Sequence, residues 1–360
     1  MDKVKIGIIG CGGIANGKHL PALKRNGNVE MVAFCDTVAE RAEQAAKQYG
    51  TADAKIYTDY RELLADPAID AVHVLTPNRE HSFITVDALH AGKHVMCEKP
   101  MAINSAEAQK MVDAAKETGK ILTIGYQNRC RPDSLYLKRA CENGELGEIY
   151  YARAHAVRRR AIPTWGVFLN EYEQGGGPLI DIGTHALDLT LWEMDNYEPK
   201  MVVGTVYKKL GKQREAANAW GDWDPDQFTV EDSAFGFIVM KNGATIHLEA
   251  SWALNTLDIE EATTSLCGTI AGADMHDGLR INGVKYNKQY VEKPQLTADG
   301  VAFFDSSDND HPEDLECNTW IDAILKGTPL RVLPEQALVV TQILEAIYES
   351  AKTGKPVYFD

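Results

Sequence analysis

Val4-Lys5-Ile6-Gly7-Ile8-Ile9-Gly10-Cys11-Gly12-Gly13-Ile14-Ala15 is the stretch that decides the fold. Its apolar run reads as a buried strand and flows directly into Gly10-x-Gly12-x-x-Ala15. Gly10 suits a tight turn, Gly12 leaves room for phosphates, and Ala15 allows close packing of helix on strand. Gly13 and Ile14 open the helix that follows, whose N-terminus offers unpaired N–H groups to an anion. The next apolar run, Val29-Glu30-Met31-Val32-Ala33-Phe34-Cys35, ends in Asp36, an acid placed to accept hydrogen bonds from a ribose diol. Strand, glycine turn, helix and acid together imply a dinucleotide-binding unit.

Outward from this motif the chain alternates. Strand patterns at Val4–Ile9, Val29–Cys35, Ala71–Thr76, His94–Cys97 and Ile121–Ile124 are separated by helical patterns such as Val38–Tyr49, His81–Ala91 and Ser105–Thr118. Such alternation predicts an α/β domain over 1–124, a doubly wound parallel sheet with helices on both faces. From residue 125 to 360 the texture changes. A helix over Pro132–Asn143, a long strand over Glu148–Arg159 and a helix running to Met194 precede strand patterns at Met201–Tyr207, Ser233–Met240, Ala244–Trp252 and Glu261–Cys267. Asn242-Gly243 is a hairpin turn between two of them. This is an α+β domain with a large, mainly antiparallel, open sheet. A polar excursion over Lys208–Thr229 interrupts it, and helices over Pro312–Lys326 and Pro334–Thr353 close the chain and are placed to pack back on the first domain.

With 360 residues, 44% hydrophobic and 25% charged, the chain suits two soluble domains. No apolar run is long enough to cross a membrane, and no leader precedes the first strand. A net charge of −15 argues against a nucleic-acid partner. Seven scattered cysteines without a C-x-x-C pair suit reduced thiols in a cytoplasm. No set of His, Asp and Glu has metal-ligand spacing, so no metal is expected.

Two further sites carry chemistry. Cys97-Glu98-Lys99-Pro100 stands at the carboxyl end of a strand, where open α/β sheets bind ligands. A partly desolvated lysine there can act as general acid or base; by itself Lys99 reads equally well as a solvated loop residue. In Asp181-Ile182-Gly183-Thr184-His185, the acid and the histidine are four residues apart and share a helix face. The histidine can move a proton and the carboxylate can fix its tautomer or hold a hydroxyl. Taken alone, the pair reads as a first-turn acid beside a packed histidine.

With Thr76-Pro77-Asn78, these motifs resemble the glucose–fructose oxidoreductase / inositol dehydrogenase / MocA (GFO/IDH/MocA) family over essentially the whole length. The markers are Gly10-x-Gly12-x-x-Ala15, Glu98-Lys99-Pro100 and Gly176-Gly177-Pro178-Leu179-Ile180-Asp181-Ile182-Gly183-Thr184-His185. The resemblance implies a Rossmann domain, an α+β domain whose open sheet serves homo-oligomerisation as dimer, tetramer or hexamer, a nicotinamide cofactor, and a sugar, polyol or glycoside substrate. It implies that Lys99 touches nicotinamide ribose and substrate hydroxyl, that Asp181 binds substrate, and that His185 is the catalytic base. It also implies that His81 approaches the nicotinamide, and that a tryptophan such as Trp165 lies against the cofactor. Here Gly166 follows Trp165 where relatives often have arginine.

Asp36 favours NAD over NADP, since a 2′-phosphate would meet like charge and only Arg41, one turn into the helix, could receive it. The cofactor set is then Gly10, Gly12, Gly13, Ile14, Asp36, Thr76, Asn78, His81, Glu98, Lys99, Gln127 and Trp165; the substrate set is Lys99, Tyr126, His155, Arg158, Asp181 and His185. Tyr126, Gln127 and Arg129 follow the last parallel strand, and His155 and Arg158 lie on the long strand over Glu148–Arg159. The segment from Tyr150 to Phe168 is most similar to members that oxidise a glycoside at sugar carbon 3. The expected chemistry is NAD-dependent oxidation of a sugar or glycoside hydroxyl, with NAD freely exchanging or tightly held. Three alternatives stand beside it: an NAD-recycling oxidation–elimination glycosidase, an inositol or polyol dehydrogenase, and a non-catalytic NAD-binding regulator.

Overall fold

The Val4–Ile9 run forms strand β1, buried along all but one of its side chains, and around it a parallel sheet is built. The computed structural model describes residues 3–214, 217–296 and 311–359. The chain divides into two units, Met1–Cys130 with Ser306–Leu338, and Arg131–Asp305 with Val339–Asp360.

In the first unit β1 is followed by α1 (Leu20–Arg25), β2 (Val29–Cys35), α2 (Ala39–Tyr49), β3 (Lys55–Tyr57), α3 (Tyr60–Leu64), β4 (Ala71–Val74), α4 (His81–His90), β5 (His94–Cys97), α5 (Ser105–Thr118) and β6 (Leu122–Ile124). The sheet order is β3-β2-β1-β4-β5-β6, all parallel, so the winding reverses between β1 and β4. Ligands bind at the carboxyl ends of strands beside such a reversal. Helix boundaries follow local chemistry: α5 starts where Asn104 accepts from the Glu107 amide at 2.9 Å and stops at Gly119, whose φ is +65°.

The unit extends past the expected boundary at residue 124 because of Arg129. Wholly buried, it donates to the Arg331 carbonyl at 2.9 Å and to Gln336 Oε1 at 2.6 Å. Leaving those buried donors unpaired would be costly, and the 127–130 turn stays with this unit.

The second unit contains α6 (Pro132–Glu142), β7 (Ile149–Val157), α7 (Glu171–Gln174), α8 (Thr184–Met194), β8 (Pro199–Tyr207), β9 (Ser233–Met240), β10 (Thr245–Ser251), β11 (Glu260–Gly268), β12 (Ala271–Asp274), β13 (Arg280–Lys285) and β14 (Lys288–Glu292). Two helices follow, α9 (Pro312–Lys326) and α10 (Pro334–Thr353), then the short strand β15 (Val357–Tyr358). α9 belongs to the first unit, where Cys317, Trp320 and Ile321 join the core of Ile6, Ile8 and Leu20.

The nine-stranded sheet runs β14-β13-β12-β11-β7-β10-β9-β8-β15 and is antiparallel except between β7 and β10. α8 is buried almost all round and lies on the β7 and β11 face. That face is lined with small residues, Ala152, Ala154, Ala156 and Ala250, which let the helix approach. Thr190 of α8 bonds Thr264 of β11 at 3.0 Å, and Thr264 pairs with Ala154 in register. Side chains alternate along a strand, so His155 faces away from α8.

Candidate active site

The nucleotide end lies in the first unit. Gly10 has φ +93°, and a methyl group there would stand 2.6 Å from the Leu75 carbonyl oxygen, so only glycine fits where β1 turns beside β4. Above Gly12 and Gly13 the space within 4 Å is open, and Ile14 is exposed beside them. Asn16 draws the turn together, donating to the Cys11 and Gly12 carbonyls at 2.9 Å each. Asp36 is held by two backbone amides, Cys11 N–H to Oδ2 and Val38 N–H to Oδ1, each at 2.9 Å. Each of its oxygens keeps capacity for a second donor, and Arg41 lies 3.9 Å from Oδ1. At the end of β4, Thr76 Oγ1 is buried without a partner among the described atoms. An open glycine turn at a helix start, an acid with spare acceptor sites and an unmatched hydroxyl fit a dinucleotide, with Asp36 the group that would hold the ribose diol.

Behind this surface lies a buried charge network. Glu98 Oε1 accepts from Lys18 Nζ and faces His19 Nε2, each at 2.8 Å, while Oε2 accepts from the Lys99 amide at 2.8 Å. Burial opposes ionisation of Glu98, but Lys18 and His19 outweigh it and hold the carboxyl well below its usual range. Lys18 also reaches Glu316 at 3.0 Å and the Gln127 side-chain oxygen at 2.7 Å. Glu98 therefore braces the Lys99 turn from beneath, and Lys18 links it to Gln127. The Lys99–Pro100 peptide is cis, and Lys99 itself is half-buried.

His81 lies between two loops. Its ring is buried, with Nδ1 2.8 Å from the Pro100 carbonyl and Nε2 2.9 Å from the Thr76 carbonyl. Burial pulls its pKa below the ordinary value, and the two carbonyls oppose that pull. The ring thus lies between the loop carrying Thr76 and Asn78 and the loop carrying Lys99, and donates to whichever carbonyl its tautomer allows. Tyr126 is likewise buried.

In the second unit Gly176-Gly177-Pro178 opens a wide helical turn, Leu179–Gly183, that continues into α8. A side chain on Gly177 would stand 2.3 Å from the Glu231 carbonyl oxygen, and one on Gly176 would stand 2.1 Å from the Tyr348 hydroxyl. That closeness lets the buried Glu231 carboxylate accept from the Gly177 amide at 2.8 Å and from the Leu179 amide at 3.1 Å. Tyr348 donates to Glu231 Oε1 at 2.8 Å. Glu231 thus satisfies helix-start amides that would otherwise be orphaned. Nothing in its sequence spacing marks it.

This turn presents Asp181 and, one turn on, the buried His185. Trp252 donates its indole N–H to Asp181 Oδ2 at 2.9 Å. Arg158 lies on the same face of the sheet as α8, within electrostatic reach of Asp181. Burial works against its charge, but a bond from Nε to Glu261 at 2.6 Å and the Glu261 and Asp181 charges keep its pKa up. Trp165 meets Phe168 and Trp220 edge to face.

His155 stands apart. It is on the opposite face of the sheet, 3.9 Å from Glu249. A hollow there, lined by residues including Arg153, His155, Asp258, Glu260 and His276, holds neither Asp181 nor His185. Asp258, Glu260 and His276 bring ligand atoms within 4.8 Å of one another at its exposed rim; the first two are neighbours in sequence and His276 joins them from beyond β12. His311 caps α9 through its carbonyl, which accepts from the Asp314 amide at 2.9 Å.

Comparison with known proteins settles the family. Residues 4–126 match the model of the GFO/IDH/MocA oxidoreductase family, NAD-binding Rossmann fold, and residues 138–359 match that family's C-terminal alpha/beta domain. The chain belongs to this family. It is an oxidoreductase with an NAD-binding Rossmann domain, consistent with the fit at Gly10, Asp36 and Thr76. Among GFO/IDH/MocA relatives, D-glucoside 3-dehydrogenase from Escherichia coli (strain K12) is 36% identical over 98% of this chain and 97% of its own. Inositol 2-dehydrogenase from Salmonella typhimurium is 34% identical over 45% of this chain and 48% of its own. The structure of an aldose-aldose oxidoreductase from Caulobacter crescentus superposes with a TM-score of 0.80 at 23% identity, covering 99% of this chain and 100% of that one, which shows the shared fold.

Proposed function

We propose that this chain is an NAD-dependent dehydrogenase that oxidises the secondary alcohol at carbon 3 of a glucoside to the 3-oxo glucoside. The observation that carries this reading is the 36% identity to a D-glucoside 3-dehydrogenase along almost the entire length of both chains. Bound NAD supplies the two-electron acceptor. The residues of the chain handle oxygen and proton. His185 takes the hydroxyl proton at a ring nitrogen, Lys99 stabilises charge developing on that oxygen, and Asp181 holds a neighbouring hydroxyl. The bond from Trp252 to Oδ2 fixes the direction the Asp181 carboxylate faces.

The test is to supply the purified protein with NAD and methyl glucoside, follow reduced-nicotinamide absorbance and identify the sugar product. Formation of NADH with a 3-oxo glucoside supports the reading. Released glucose without net reduction points to oxidation–elimination, and no reaction with any glucoside or polyol points to a regulator. Lys99→Ala and His185→Ala are expected to lower kcat by about 10²–10⁴-fold while NAD affinity stays near that of the unmodified protein. Near-normal turnover in both would remove the assignment. We also place the protein in the cytoplasm, supported by seven cysteines outside any disulfide. A homo-oligomer is proposed through the sheet face that carries Tyr151, Phe235 and Phe237, two of which pack on His247.

A further inference from the structure

We propose that Trp165 and Trp220 form an aglycone platform: a corner of two indoles that holds, by its apolar face, the ring attached to a glucoside whose reacting sugar is bound at Asp181. This rests on the reading of Asp181 as a substrate-binding acid.

A continuous line of aromatic rings leads from that carboxylate to solvent. Trp252, 0% exposed, donates to Asp181 Oδ2 at 2.9 Å. Phe168 stands 6.3 Å from Trp252 between ring centres, Trp165 stands 5.8 Å from Phe168, and Trp220 stands 5.0 Å from Trp165 at 75° between planes. Trp252 is covered by protein and Phe168 is half-buried. The outer two are 51% exposed at Trp165 and 42% at Trp220. Large rings left half in water at the end of such a line offer contact area with little conformational freedom to lose.

The corner is also held in place. Trp220 lies in the excursion between β8 and β9, and that excursion is stitched to the segment after β7. Asn218 Oδ1 accepts from the Ile162 amide at 2.8 Å, and its Nδ2 donates to the Ile162 carbonyl at 2.9 Å. The Ala219 amide donates to the Arg160 carbonyl at 3.0 Å, and Thr164 Oγ1 donates to the Trp220 carbonyl at 2.7 Å. Arg158, anchored on Glu261, places its guanidinium 5.0 Å from the centre of the Trp220 ring and so fixes one of its faces. Residues 218–220, bonded in this way, are preorganised, and binding through them loses little ordering entropy.

The chemistry of the surface selects the occupant. The electron-rich face of an indole attracts the weakly positive C–H edge or face of another ring. A pyranose presents such a C–H face and an aryl group such a C–H edge; a methyl aglycone is not a ring and presents neither. The enzyme is therefore built for glucosides whose aglycone is itself a ring, and small alkyl glucosides use only the Asp181 end of the site.

The experiment is equilibrium binding by calorimetry to the NADH-loaded protein, which does not depend on turnover. The probes are methyl glucoside, phenyl glucoside and a glucosyl-glucose disaccharide. At least one ring-bearing glucoside is expected to bind about ten-fold tighter than methyl glucoside. Which one does so tells whether the ring is aryl or pyranosyl. Trp220→Ala is expected to bring the ratio of dissociation constants to within about three-fold of one, and Trp220→Phe to retain most of it. Equal affinity for methyl and ring glucosides, or a preference that survives Trp220→Ala, would overturn the platform. Turnover measured in parallel keeps the two readings apart. Tight, Trp220-dependent binding without oxidation would sink the dehydrogenase reading alone, and oxidation without the binding preference would sink the platform alone.

Discussion

Lys18 stands with its ammonium 2.8 Å from Glu98 and 3.0 Å from Glu316, buried among groups that water does not reach. Removing one member of such a set leaves uncompensated charge in the interior. Lys18→Met is therefore expected to destabilise the protein by about 3–5 kcal/mol, read as a lower urea midpoint. A loss below about 1 kcal/mol would show that the network is not a structural brace. At this scale the sequence was legible where a residue type answers a local demand. Gly10 could be assigned because the geometry of its turn needs one kind of residue. Lys18, Glu231 and Trp252 could not, because their partners lie 80, 54 and 71 positions away along the chain. Nor could the two carbonyls beside the His81 ring be read, since Pro100 lies 19 positions further along the chain.

Between elements, single carboxylates do much of the joining. Asp66 Oδ2 accepts from Lys55 Nζ at 2.6 Å and from Tyr57 Oη at 3.1 Å, which pins the edge strand β3. The bond from Lys55, then the Ala68 amide, lower the Asp66 pKa from 3.8 to about 2. A depressed carboxyl stabilises the fold above its unfolded pKa and loses that contribution as pH falls through the folded one. The Tm difference between the unmodified protein and Asp66→Asn is thus expected to be constant above about pH 5 and to close toward about pH 2. A gap that stays constant to about pH 2 would contradict this. Glu231 joins the start of the α8 turn to α10. Glu231→Ala orphans two helix-start amides and is expected to cost about 2–5 kcal/mol, whereas Tyr348→Phe removes one hydroxyl and is expected to cost about 1 kcal/mol. Equal losses would mean that the amides are satisfied some other way. Most elements were readable from periodicity: α5 and β9 have the bounds their patterns set, Ser105–Thr118 and Ser233–Met240. The strands β3, β12, β13 and β14 were not, because they are short or alternate weakly at the sheet margins.

Over the whole molecule, two sequence textures became two sheets: a parallel one ordered 3-2-1-4-5-6 and a mixed one of nine strands. What composition could not show was that Ser306–Leu338 belongs with the N-terminal residues, since that depends on Trp320, Ile321 and Arg129 finding partners far away in sequence. Nor could it tell which face of the long strand His155 would take relative to α8; alternation sets the faces apart but not which one the helix covers. The proposed oxidation at carbon 3 of a glucoside assigns the handling of proton and charge to Lys99, Asp181 and His185. The measurement that tests it most directly uses methyl glucoside carrying deuterium at carbon 3. Deuterium appearing in the reduced nicotinamide, with a slowed rate and a 3-oxo product, is the predicted result. Reduced nicotinamide free of deuterium, or product that keeps the label at carbon 3, would contradict it.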